Sequence, residues 1–212
     1  MRIICDLDGT LLDSKEQLFY AHQEACAECG WIIAPNYIDD YWAHRREGKT
    51  PYSHLAGLLQ RSLTRKERQI YLKEYTRLVE SPEALRRMDI FPETRSFLFQ
   101  TEGVFLATFR ADRESLKAEL QRFNIDHFVT GIVACGGGRW RNRAKRKAKS
   151  IPKRWLDTDD EIWFIGDDYT DVEAAKILDV KSCAVCSGIR SRELLETFKP
   201  DRIIEHVGEF HQ

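Results

Sequence analysis

Two aspartates flank a single leucine in Cys5-Asp6-Leu7-Asp8-Gly9-Thr10, directly behind the apolar pair Ile3-Ile4. Residues two apart in a strand project on one face, so Asp6 and Asp8 are expected to set two negative charges side by side. That pair adds nothing to folding unless something positive lies between them. A carboxylate can attack phosphorus and form an aspartyl-phosphate, which makes Asp6, nearest the strand end, a candidate nucleophile. A second carboxyl two residues on can protonate a leaving alcohol and then take a proton from the attacking water, a role open to Asp8. Mg²⁺ would offset their mutual repulsion. Asp167, supported by Asp171 or Asp168 in Gly166-Asp167-Asp168-Tyr169-Thr170-Asp171, offers the oxygen ligands that such a hard cation takes. Thr108 and one lysine of Lys145, Lys147 and Lys149 would hold phosphoryl oxygens as charge develops on them.

These residues form one site only if the fold brings distant segments to one edge. Short apolar runs recur at 2–6 (RIICD), 104–108 (VFLAT), 132–135 (IVAC), 162–166 (IWFIG) and 182–186 (SCAVC). Each reads as a strand buried on both faces of a parallel sheet. Between the second and third runs Leu116, Leu120 and Phe123 follow a helical period, and further helices are expected near 171–179 and 190–198. The alternation predicts a doubly wound α/β sheet, whose ligands bind beyond the carboxyl ends of the strands. Asp6, Thr108 and Asp167 all stand at such ends.

Residues 14–88 break the rhythm with helical patterns alone. A stripe of Phe19, His22, Cys26 and Cys29 stops at Gly30. Thr64 and Glu67 have capping-box spacing ahead of a stripe of Tyr71, Tyr75 and Leu78, and Ser81-Pro82 opens another helix. The expected organisation is a core domain of residues 1–13 and 89–212, with an all-helical insertion at 14–88 lying above the strand ends as a lid.

DLDGTLLDS, VFLATF and IGDDYTDVEAA resemble, in order, the first, second and fourth motifs of the haloacid dehalogenase (HAD) superfamily. IFPETRSFL is similar to that family's return from lid to core. PDRIIEHVGEF is similar to the closing segment of its phosphoglycolate-phosphatase-like members. The resemblance implies a Rossmannoid sheet with a helical cap, in the phosphoglycolate-phosphatase-like or beta-phosphoglucomutase-like branch. It implies a Mg²⁺-dependent phosphatase acting on a small phosphorylated metabolite. A phosphomutase, which returns the phosphoryl group to a sugar, is the alternative within the superfamily. By this resemblance Asp6 is the nucleophile, Asp8 the acid/base and Thr108 the second-motif hydroxyl. The cation is held by the Asp6 carboxylate, the backbone carbonyl of Asp8 and Asp167, with Asp171 supporting and Asp168 close behind. Dehalogenase and phosphonatase branches lack an aspartate at the Asp8 position. Lys147, followed by Ala148-Lys149-Ser150-Ile151, best fits the third-motif lysine; Lys145 is a serious rival and Lys149 a weaker one. Arg110, where many relatives carry a smaller residue, either contacts substrate or makes a surface salt bridge. Arg45, Arg46 and Lys49 surround Gly48 where capped relatives place a substrate-reading loop, and their charge suits an anionic substrate. An ordinary interhelical turn is the plain alternative.

The 212 residues are 42% hydrophobic and 32% charged, as expected of a globular protein rather than a disordered one. The net charge of -1 conceals a basic run at 139–154, RWRNRAKRKAKSIPKR, with nine Lys or Arg and no acid. It reads as a solvated helix face carrying one catalytic lysine. A nucleic-acid patch, serving a polynucleotide phosphatase or a non-enzymatic binder, is the rival. Trp140 and Trp155 flank the run and read as packing. Gly136-Gly137-Gly138 lacks the strand-to-helix context of a dinucleotide loop and reads as a turn. Cys26/Cys29 and Cys183/Cys186 have zinc-like spacing, but a helix stripe and a strand offer poor tetrahedral geometry, so buried thiols are expected. With no signal peptide or membrane span in view, cytoplasmic residence is the expectation.

Overall fold

The computed structural model describes residues 1–31, 33, 37–101, 103–136 and 142–211. The chain begins with β1 (Arg2–Cys5) and β2 (Leu12–Asp13). Five helices follow: α1 (Lys15–Glu28), α2 (Ile38–Arg46), α3 (Leu55–Leu58), α4 (Arg65–Val79) and α5 (Pro82–Leu85). Next come β3 (Asp89–Ile90), α6 (Thr94–Gln100), β4 (Val104–Thr108), α7 (Arg113–Arg122) and β5 (Val129–Ala134). The remainder is α8 (Arg143–Ser150), α9 (Lys153–Leu156), β6 (Ile162–Gly166), α10 (Tyr169–Leu178), β7 (Lys181–Val185), α11 (Arg192–Thr197) and β8 (Arg202–Ile204).

Six strands form a parallel sheet in the order β5-β4-β1-β6-β7-β8. This is the expected doubly wound α/β fold. β1 lies in the interior, with Ile3 opposite Val104 on one side and Trp163 on the other. Ile3, Ile4, Cys5, Leu106, Ala107, Phe164 and Ile165 are all buried, which explains why these strands read as continuous apolar runs. The winding direction reverses between β1 and β6, and such a switch point opens a crevice at the carboxyl ends of its two strands. Asp6 and Asp167 are the residues that follow those two ends. β5 starts at Val129, three residues ahead of the apolar run that announced it. It is an edge strand, only half covered, and its exposed Thr130 and small Gly131 carry no apolar signal. β2 and β3 pair as a separate two-stranded ribbon.

The chain divides into two compact units. The sheet unit comprises Met1–Asp13, Ile90–Gly188 and the chain from Arg192 on; the helical unit comprises Ser14–Asp89 and Ile189–Ser191. In the helical unit Thr64 caps α4 by accepting from the Glu67 N–H, while the Glu67 carboxylate accepts from the Thr64 N–H. Ser81 caps α5, with Pro82 in its first turn. Gly30, at φ +73°, ends α1 in the left-handed region that glycine enters without strain. The buried face of α1 is Gln17, Ala21, His22, Ala25 and Cys26, whereas Phe19 and Cys29 from the expected stripe are only half-buried. Ala21, Ala25 and Cys26 pack there with Tyr71, Tyr75 and Leu78 of α4, while Gln17 donates to the Val79 carbonyl and the His22 ring bonds the Tyr71 hydroxyl. His22 and His54 lie in an aromatic core, with the His22 ring stacked 4.5 Å from Tyr41 and the His54 ring stacked 5.6 Å from Tyr37. Burial, with the His54 and Arg45 charges, lowers the His22 pKa to about 2. Burial, with the His44 charge, lowers that of His54 to about 4.

Candidate active site

β1 ends at Cys5, and the Asp6 N–H continues the ladder by donating to the Ile165 carbonyl at 2.8 Å. The chain then turns: the N–H groups of Leu11 and Leu12 both donate to the Leu7 carbonyl, at 2.9 and 3.0 Å. Gly9 takes φ +83°, and a Cβ there would overlap the Asp167 carboxylate, so only glycine fits this approach. Asp6 and Asp8 thus lie beyond the strand, where its two-residue period no longer applies. Each carboxylate has its own cation, Asp6 facing Lys147 and Asp8 facing Arg110, and the Asp8 charge is still felt at Asp6, where it adds to the rise in pKa.

Asp6, Asp167 and Asp171 are all buried, and one carboxylate oxygen from each lies within 4.8 Å of the others. Among the described residues these three are the only group of that kind, and all six cysteines are free thiols. Asp168 and Asp171 have separate tasks. Asp168 caps α10, accepting from the Thr170 N–H at 2.9 Å. Asp171 turns inward, accepting from the Asp168 N–H at 3.2 Å with one oxygen and pairing with Lys147 through the other. The capping geometry of α10 therefore fixes the third carboxylate.

Lys147 projects from the buried face of α8, between Ala144 and Ala148, and its Nζ lies 3.1 Å from Asp6 Oδ2 and in contact with Asp171. Lys145 and Lys149 are exposed on the other faces of the helix. Burial works against the Lys147 charge, but the Asp171 and Asp6 carboxylates outweigh it and hold its pKa above the ordinary lysine value. Burial pushes the Asp171 carboxyl up to about 7 despite Lys147, with Asp6 and Asp168 adding to the rise. The Asp6 carboxyl is raised as well, first by burial. Three carboxylates against one ammonium leave two negative charges in a buried group when all are ionised, a donor set that fits one divalent cation.

Thr108 ends β4, fully buried, and its Oγ1 accepts from the Arg110 N–H at 3.3 Å. Arg110 is no surface salt bridge: its side chain is 4% exposed. Its Nε and Nη2 donate to the two Asp8 oxygens at 2.9 and 2.6 Å, and Nη1 pairs with Glu119 of α7. Glu119 was not expected at the site. The available signal was an acid on the apolar stripe of Leu116, Leu120 and Phe123, a position that requires a buried cation opposite it.

Arg45, Arg46 and Lys49 belong to the helical unit. Arg45 is buried and donates from Nη1 to the Lys49 carbonyl at 3.3 Å; Arg46 and Lys49 are exposed, and Lys49 pairs with Glu47. Of the basic run, 139–141 and so Trp140 lie outside the described residues, as do Gly137 and Gly138. From Asn142 on, the run forms α8 and α9; Arg143 and Arg146 lie over the Phe109 ring at 3.9 and 5.4 Å. Trp155 is buried against Phe105 at 4.7 Å, which makes it packing.

Solved structures share this architecture. A haloacid dehalogenase-like hydrolase from Streptococcus pneumoniae aligns with a TM-score of 0.72 at 19% identity, covering 99% of this chain and 96% of its own. A predicted phosphoglycolate phosphatase from Haemophilus somnus gives 0.72 at 18% identity, over 99% and 96% of the two chains. A predicted phosphatase from Clostridium acetobutylicum gives 0.73 at 17% identity, over 99% and 95%. At these identities the likeness is one of fold. No curated protein sequence matches the chain. The sequence profile of haloacid dehalogenase-like hydrolases matches residues 3–185, a span holding every carboxylate and cation of the sheet-unit site, and the chain belongs to that family.

Proposed function

We propose that this hydrolase is a Mg²⁺-dependent phosphatase of the phosphoglycolate-phosphatase-like branch, cleaving a small phosphorylated metabolite through an aspartyl-phosphate on Asp6. The observation that carries the reading is the buried group of Asp6, Asp167 and Asp171 with Lys147 set between two of them. Asp6 and Asp167, with the Asp8 carbonyl and with Asp171 in support, would hold Mg²⁺, whose charge would offset that of the phosphoryl group. Asp6 attacks phosphorus as the bond to the leaving oxygen breaks, and that oxygen takes a proton from Asp8. Water then attacks the phosphoaspartate, giving its proton to Asp8 and freeing the Asp6 carboxylate and inorganic phosphate. Lys147 Nζ, 3.1 Å from Asp6, and the Thr108 hydroxyl stabilise phosphoryl oxygens as charge builds on them. The helical unit serves as the cap in this reading, with the exposed Arg46 and Lys49 reading an anionic substrate and the buried Arg45 bracing their loop through the Lys49 carbonyl. Phosphate release, followed across a panel of phosphorylated metabolites with Mg²⁺ and with a chelator, tests the proposal. Mg²⁺-dependent release from a small ester is expected. Interconversion of sugar phosphates without net release would favour the mutase instead.

A further inference from the structure

Asp8 must meet the leaving oxygen rather than join the cation's ligands, although it lies two residues from Asp6. Its carboxylate is not one of the three-aspartate group, and Arg110 grips both of its oxygens in the fork geometry a guanidinium offers and an ammonium does not. The fork is itself fixed. Its third nitrogen pairs with Glu119, and the Arg110 and Glu119 side chains are each 4% exposed, while Asp8 is 29% exposed and reachable. Burial disfavours the Arg110 charge, but Asp8 and Glu119 outweigh it, so the guanidinium stays charged. One Glu119 oxygen, Oε1, is buried without a hydrogen-bond partner, a cost that an apolar residue at that position would avoid.

Resting on the phosphatase reading, we infer that Arg110, anchored by Glu119, is the positioning residue that sets the Asp8 carboxyl for proton transfer to the leaving oxygen and, in the second step, from the attacking water. Arg110 itself moves no proton: the P–O bond breaks, the departing oxygen is protonated by Asp8, and Arg110 fixes where Asp8 stands. This makes its contribution depend on the leaving group. An acidic phenol departs as its anion and needs little help, whereas an alkyl alcohol departs only with a proton.

The test measures kcat/KM of wild type, Arg110→Met, Arg110→Lys, Glu119→Gln, Asp8→Asn and the double variant Arg110→Met/Asp8→Asn. Two substrates are compared, the phosphate ester of an acidic phenol and that of an alkyl alcohol. Arg110→Met is expected to retain the aryl ester within about threefold and to lose the alkyl ester by about a hundredfold, the range of one general acid. Asp8→Asn is expected to show the same selectivity, and the double variant to be no worse on the alkyl ester than Asp8→Asn alone. Arg110→Lys and Glu119→Gln are expected to fall between, in the same direction, and they carry the comparison if Arg110→Met does not fold. Equal losses on both esters, or a double variant whose loss is the product of the single ones, would overturn the inference and leave the phosphatase reading standing. Absence of phosphate release by wild type from any ester overturns both.

Discussion

Lys147 is the residue on which the buried charges balance. Substituting Met would leave Asp6 and Asp171 facing each other without a cation, at a cost of about 3–5 kcal/mol, the usual range for breaking a buried pair. Adding Asp171→Asn to that variant should recover part of the loss, since it removes one of the stranded carboxylates; urea melts of the three proteins measure this. Spacing alone left Lys145, Lys147 and Lys149 open, because all three lie on one short helix. The small residues Ala144 and Ala148, at i−3 and i+1 from Lys147, mark the face that packs inward, and that face decides. The choice between Asp168 and Asp171 was hidden for a similar reason, since either can serve a helix N-terminus and only the backbone of α10 assigns the cap to Asp168. The contact of Arg110 with Glu119 was not legible, because it forms only when the end of β4 meets the inner face of α7.

At the scale of elements, the strands nearest the site were the most legible. β4 and β6 are buried on both faces, and their apolar runs match their ends residue for residue. β5 was legible only at its carboxyl end, because a half-covered edge strand does not need a continuous apolar run. In the helical unit the caps at Thr64 and Ser81 were readable from residue type, but the aromatic packing of His22 and His54 was not. That packing has a consequence for pH. Both imidazoles have folded-state pKa values below the ordinary 6.5, near 2 for His22 and 4 for His54. The unfolded chain therefore takes up their protons first, and stability is full above about pH 6.5 and declines as pH falls toward those lower values. Thermal melts followed by circular dichroism between pH 7 and 4 should show this decline, and His54→Phe should flatten it. A decline of the same steepness in the variant would remove His54 from the account.

For the molecule as a whole, no helix among the described residues is long and apolar enough to cross a membrane. The buried group of Asp6, Asp167, Asp171 and Lys147 lies within the sheet unit, at the ends of β1 and β6 and on α8 and α10. A cation that binds this folded group and not the unfolded chain raises stability by about 2.7 kcal/mol at a hundred times its Kd. Mg²⁺ is therefore expected to raise the melting temperature of wild type, and Asp167→Asn to abolish most of that rise. Asp6→Asn tests the central claim most directly, because it keeps the shape of the side chain and removes the attacking oxygen. Phosphate release from an aryl phosphate in saturating Mg²⁺ should fall by at least about a thousandfold in a variant that melts as wild type does. Release by Asp6→Asn at a rate near that of wild type would contradict the account.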